Sequence, residues 1–298
     1  MDGNSTSQAS KRLATIVAVL TLALGLPTTR SQAAGVWTNE PAGASVVMDC
    51  PFNSVSGCGI LDVYSSSQII SDGTAQVSAS NVMKSTLYAG NSTGGMQLNY
   101  AIPKTYREMF VGLMWRTNPQ FQGRSGGNKL FFMRGPDSIG VFVIQGGLST
   151  GSGPLVWVHN SSSLNNSHVC STDLGLLCYP NASSGLVQRG VWTKIEAYIK
   201  ASTTNTSRDG IVRWWINGVL AGNYTNINYA GAGLNEWIWT ETWDGCGSNL
   251  GCDLGQVNTV NWEHYVDHLR ISIPNDSAGA DNPPGPPISP TIRSVTTP

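Results

Sequence analysis

The chain has little charge. Lys and Arg number 17 and Asp and Glu 18 in 298 residues, so charged side chains make up 12% of it, against roughly 25% in an average protein. The formal net charge is −1, which excludes the basic footprint of a nucleic-acid binder or of a patch made for an anionic membrane. No apolar run beyond residue 26 is long enough to cross a bilayer, so no membrane span is expected in the mature chain. No segment of ten or more residues repeats its apolar side chains at helical spacing, and no internal repeat of fixed period exists. No cysteine pair has the two-residue spacing of a zinc knuckle.

What is present begins with six cysteines in three tight pairs: Cys50 with Cys58, Cys170 with Cys178, and Cys246 with Cys252. Sequence alone leaves the connectivity open. Local pairing is the simplest reading, because short loops close at small entropic cost and each staple contributes roughly 2–3 kcal/mol. Such bonds persist in an oxidising compartment. The N-terminus agrees. Lys11 and Arg12 precede an apolar run over residues 13–26, followed by small residues at Ser31, Ala33 and Ala34. Residues 1–33 read as a signal peptide and the protein as secreted. From residue 275 the chain turns to Asn, Asp, Gly and Pro, a composition that cannot bury a core, so residues 275–298 read as a flexible tail. One domain over residues 34–274 remains, and a monomer is expected.

Within that domain, short runs rich in aromatic and branched residues alternate with Gly, Asn and Ser clusters. The runs at residues 109–116, 129–134, 141–145, 155–159, 191–200, 211–216, 219–224, 237–243 and 265–273 read as strands. Asn217-Gly218 between two of them is a strong hairpin signal. Many short strands in one domain predict an all-β fold, a two-sheet antiparallel sandwich or jelly roll. Ten tryptophans and nine tyrosines fill such a core for the most part. With so few charges they also suit a surface that stacks on sugar rings.

Three stretches carry a family resemblance: residues 190–200 (GVWTKIEAYIK), residues 209–218 (DGIVRWWING) and residues 265–272 (YVDHLRIS). Together they resemble the concanavalin A-like lectin/glucanase superfamily. Within it they look most like secreted polysaccharide lyases of the heparin-lyase or alginate-lyase jelly-roll type, over most of residues 37–274. The resemblance implies two antiparallel sheets, one concave, with a polysaccharide lying across the concave face. It also points to a structural calcium, for which Asp49, Asp62 and Asp267 are candidates because the first and last strands of such folds lie close together. The Glu-x-Asp-x-x-Glu motif of superfamily glucanases is absent.

Strand alternation sorts the candidate site residues onto faces. Ile195, Ala197 and Ile199 form one face of their strand, and Lys194, Glu196, Tyr198 and Lys200 the other. Leu155, Trp157 and His159 share a face. So do Trp237, Trp239, Glu241 and Trp243, a carboxylate among tryptophans, which is what a sugar groove needs. A lyase removes the proton beside a uronate carboxyl group, neutralises that carboxylate and protonates the leaving oxygen. Tyr198 and His159 are the base and acid candidates, Arg116 and Arg134 the neutralising cations, and Gln145 a further polar contact, with Trp157, Trp239 and Trp243 as sugar platforms. A glycoside hydrolase of a neutral glucan would need two carboxylates, and Glu196 with Glu241 is the pair on offer. A carbohydrate-binding module or lectin without catalysis is the third reading, because fold alone does not decide chemistry.

Overall fold

The computed structural model describes residues 36–65, 67–78, 80–89, 97–121, 128–136, 138–145, 155–162, 177–204, 206–227, 232–240 and 260–274. Contacts divide the chain after residue 34, and every described residue belongs to the second unit. The proposed signal peptide and the Pro-rich tail lie outside the described residues.

Among the described residues, fifteen strands follow one another with one 3-10 turn at Ser56–Cys58. They are β1 (Ser45–Cys50), β2 (Leu61–Asp62), β3 (Gln68–Ser71), β4 (Asn81–Leu87), β5 (Gln97–Tyr106), β6 (Glu108–Thr117), β7 (Asn128–Arg134) and β8 (Ser138–Gln145). β9 (Leu155–Ser162), β10 (Leu177–Cys178), β11 (Thr193–Lys200), β12 (Gly210–Ile216), β13 (Val219–Ile227), β14 (Leu234–Thr240) and β15 (Trp262–Ile273) complete the set. An eight-stranded sheet runs β13-β12-β11-β6-β15-β4-β3, with β1 paired to the far half of β15; a seven-stranded sheet runs β10-β9-β8-β7-β14-β5-β2. Every pairing is antiparallel. This is the all-β sandwich read from the sequence.

The core lies between the sheets and follows from the period of two. On β11, Ile195, Ala197 and Ile199 are fully buried; on β6, Met109, Val111, Leu113 and Trp115 point the same way. The seven-stranded sheet answers with Leu98, Phe131, Met133, Trp237 and Trp239. Asn217 and Gly218 have φ of 51° and 82°, the left-handed pair that a two-residue hairpin between β12 and β13 requires.

The Cys50–Cys58 disulfide is formed, with its Cα atoms 5.4 Å apart. Cys178 is buried and disulfide-bonded; Cys170, Cys246 and Cys252 lie outside the described residues. Among the described residues no helix is long and apolar enough to cross a membrane.

Candidate functional site

Each sheet has one face turned away from the core, and the two faces differ. The outer face of the eight-stranded sheet is covered. Trp37 lies against Gly112 on β6 so closely that a Cβ there would meet the indole at 2.5 Å. Trp37, Val82, Phe110, Met114 and Trp192 form a second buried cluster on this face. The polar residues of the face tie down what covers it. Glu196 is fully buried and accepts from the backbone N–H of Asn39 at 3.0 Å and from its side-chain amide at 2.8 Å. Lys194 donates to the Val36 carbonyl at 2.8 Å, and Arg270 to Glu40 at 2.8 Å. The segment from Val36 to Glu40 is thus a strap clamped by charge onto an apolar surface.

A second covering piece is held from β6 and β15. Arg116 pairs with Asp72 at 2.6 Å and lies over the rings of Trp192 and Tyr265 at 4.7 and 4.4 Å, a cation–π sandwich that desolvation strengthens. Asp267, fully buried at a bulge in β15, accepts from the backbone N–H groups of Gln76, Val77 and Ser78 at 2.6, 2.6 and 2.8 Å. Ser78 Oγ lies 2.5 Å from His268 Nδ1, and His268 Nε2 lies 2.6 Å from Asp49 Oδ1. The order matches a nucleophile, a base and an orienting acid. Acyl transfer also needs N–H donors aimed at a developing oxyanion, and the amides beside Ser78 are spent on the Asp267 carboxylate. The chain Ser78–His268–Asp49 is a clasp.

Tyr198 stands on the same covered sheet. Its hydroxyl donates to Glu108 at 2.5 Å. Burial first, and the Glu108 carboxylate second, push its phenol above the ordinary tyrosine value. That direction opposes service as a base.

The outer face of the seven-stranded sheet gathers a different set. Register places Asn99, Ile238, Phe132, Val141 and His159 side by side in one row across β5, β14, β7, β8 and β9. The next row holds Ala101, Glu236, Arg134, Ile139 and Ser161. On the other side of the His159 row, Lys129, Val143 and Trp157 align, then Gln145 with Leu155. A bulge between Lys129 and Phe131 keeps Lys129 in phase with this face. Glu236 lies 3.4 Å from Arg134 and accepts from Asn99 at 3.3 Å, while Gln97 donates to Asn99 at 2.9 Å. Burial raises the carboxyl of Glu236 above its ordinary value, and Arg134 only partly offsets it. Arg134 keeps nearly half of its side chain exposed.

Sequence reasoning and geometry diverge at several points. Tyr198 and His159, paired on paper as base and acid, lie on different sheets. Arg116 is held on the covered sheet by Asp72 and two aromatic rings. Glu196 is sealed beneath the strap, so it cannot form one side of a groove; Glu241 and Trp243 lie outside the described residues. Trp239 is fully buried in the core and is no sugar platform. The Trp237-x-Trp239 spacing marks the inward face of β14, which turns Glu236, Ile238 and Thr240 outward. The three aspartates considered for calcium do not converge. Asp49 serves His268 and Arg270. Asp62, on the other sheet, accepts from the backbone N–H and hydroxyl of Ser67. Asp267 is saturated by amides. Among the described residues no group of His, Cys, Asp and Glu gathers as a metal site. Backbone register puts the positions of His159, Arg134, Gln145 and Trp157 on one face. Lys129, Asn99, Gln97 and Glu236 join them there, all missed in sequence. Glu236 was within reach, since it immediately precedes the strand start read at Trp237.

Two antiparallel sheets stacked in this order make the chain a jelly-roll β-sandwich. No protein-family model matches it, and no curated protein matches it in sequence. Solved structures do. An alginate lyase, Aly36B, in complex with alginate trisaccharide aligns at TM-score 0.55 and 18% identity, over 80% of this chain and 96% of that one. The alginate lyase vAL-1 from Chlorella virus aligns at TM-score 0.52 and 13% identity, over 77% and 100%. An endo-β-1,4-glucuronan lyase from Trichoderma reesei aligns at TM-score 0.50 and 11% identity, over 76% and 94%. The chain shares the fold of these jelly-roll lyases.

Proposed function

We propose that the chain is a secreted polysaccharide lyase that binds a uronate-containing glycan across the outer face of its seven-stranded sheet and cleaves it by β-elimination. The observation that carries this reading is the backbone register, which sets Arg134, Lys129, His159, Gln145 and Trp157 at positions of one outer face, with the Arg134 side chain nearly half exposed. Arg134, with its exposed guanidinium, neutralises the uronate carboxylate and so acidifies the neighbouring C–H. His159, one row away, carries a proton to or from the sugar. Gln145 and Lys129 bind and orient the chain, and Trp157 offers a ring face. Export is supported by residues 1–33 and by the disulfide-bonded cysteines. The lyases of the same fold act on alginate or glucuronan, both acidic polymers, which supports the same substrate class here.

One observation weighs against a retaining or inverting hydrolase. Among the described strand residues of this face, Glu236 is the single carboxylate, and hydrolysis of either kind needs two. A binding module without catalysis is the second reading, favoured by the engagement of Arg134 with Glu236.

The test is mass spectrometry of a panel of polyuronates and neutral glucans after incubation with the purified protein. Unsaturated oligosaccharides, lighter by one water than hydrolysis products, are expected from a polyuronate. They should persist in Tyr198→Phe and fall at least about a hundredfold in His159→Ala, the scale of a lost proton-transfer group. Products of hydrolysis mass would overturn the proposal. Binding to a polyuronate with no product would leave the module reading.

A further inference from the structure

The seven-stranded sheet ends at β2, and that end differs chemically from the rest of the face. Leu61 pairs with Asn99 and so lies in the His159 row. The Val63 N–H donates to the Gln97 carbonyl at 2.9 Å, carrying the same register one step further. Leu61 is 62% exposed, Val63 42% and the adjoining Tyr64 63%. Large apolar side chains exposed singly need no explanation, but three within four residues at the rim of a proposed binding face do. The platform is held firmly. Asp62 accepts from the backbone N–H and hydroxyl of Ser67, the Cys50–Cys58 disulfide closes the preceding loop, and β2 is hydrogen-bonded along β5. An exposed apolar patch on a mobile loop would fold away from water; this one is fixed in it.

We infer that Leu61, Val63 and Tyr64 form a terminal sugar subsite, which takes the apolar C–H face of a ring and is indifferent to its charge. The inference rests on the reading that a polysaccharide crosses this sheet. Asn99 and Gln97 lie beside the patch, ready to meet ring hydroxyls, and the cations Arg134 and Lys129 lie two strands further along. From β2 to β9 the face spans roughly 24 Å at about 4.8 Å per strand, room for several sugar rings in a row. The groove is therefore graded. Its β7–β9 half reads carboxylates, and its β2 edge reads ring shape. A chain too short to reach from one half to the other gains nothing from the patch.

The experiment uses the full protein and polyuronate oligosaccharides of graded length, each as the free acid and as its methyl ester, with binding followed calorimetrically. Tyr64→Ala and Leu61→Asn change exposed side chains, and circular dichroism confirms that both variants fold. Expected is a loss of about threefold to tenfold in affinity for the longest oligosaccharides, equal for acid and ester, with trimers unaffected. Arg134→Ala should weaken the acids alone. If the wild type binds long and short chains but neither edge variant alters the long ones, the subsite is refuted while the groove stands. An edge variant that weakens trimers and long chains alike also refutes it, because the patch would then act through the fold. If the wild type binds no oligosaccharide of any length, the reading of the sheet falls, and the subsite with it.

Discussion

Glu236 is the residue in which the site and its stability meet. Its carboxyl is raised from 4.5 because burial outweighs the pull of Arg134. A carboxyl that holds its proton more tightly folded than unfolded favours the folded state at low pH. That contribution is lost as pH rises from about 4.5 through the folded value. Glu236→Gln removes the penalty of a half-buried charge, so the variant should gain stability relative to the wild type as pH increases from about 4 to about 7. Urea titrations at the two pH values check it; a constant difference would mean that burial is not what raises the group. In the proposed groove Glu236 has a positioning part rather than a hydrolytic one. Paired to Arg134 at 3.4 Å, it holds the guanidinium beside Asn99 while leaving it room to swing to a better anion. Exposed pairs of this kind are worth little to stability, so their use lies in aiming a side chain.

At the level of elements, two strand ends decide where those side chains stand. β7 ends and β14 begins at a crossing where backbones touch: a Cβ on Gly135 would lie 1.8 Å from the carbonyl oxygen of Gly233. Gly233 itself has φ of 90°, open to glycine alone at little cost. The close approach brings Arg134 and Glu236 opposite each other. Gly135→Ala must push one strand end away, at a cost of roughly 1–3 kcal/mol, and should weaken polyuronate binding together with stability. A binding assay beside a denaturation curve tests the coupling; stability lost with binding intact would separate the crossing from the site. The same scale explains the polar side of β11. Lys194 and Glu196 alternate with core residues as they would in any half-exposed strand, yet they hold a strap. Their periodicity reported one face correctly and was silent about what lay on it.

For the whole molecule, two sheets with unlike outer faces divide the labour. One is closed by the strap and by the loop that Asp267 and Arg116 hold, and supplies rigidity; the other is the face proposed to take a ligand. The Cys50–Cys58 bond, closing a separation of 8 residues, joins the end of β1 in the first sheet to the approach to β2 in the second. The chain-entropy model assigns about 2.5 kcal/mol to a loop of that size. A Cys50→Ala/Cys58→Ala double variant should lose about that much in a denaturant titration, and should weaken binding of long oligosaccharides more than short ones. Equal stability would show that the staple is dispensable to the fold.

The sequence by itself determined the strands β6 to β9 and β11 to β15, the β12–β13 turn and the sandwich class, and it favoured the pairing of Cys50 with Cys58 by the shortness of their loop. All of these depend on residues close along the chain: a period of two, a left-handed Asn-Gly, a short loop. The short early strands β2 and β3 bury nothing fully, and β1 to β5 went unread. The register that sets His159 in line with Phe132 and Asn99 involves strands far apart in the chain. The covering of Glu196 and Tyr198 likewise depends on the strap and Glu108, 157 and 90 residues away in sequence. Only the tertiary structure decided those, because a strand's pattern states that its two faces differ, and which face meets water is settled by what folds over it.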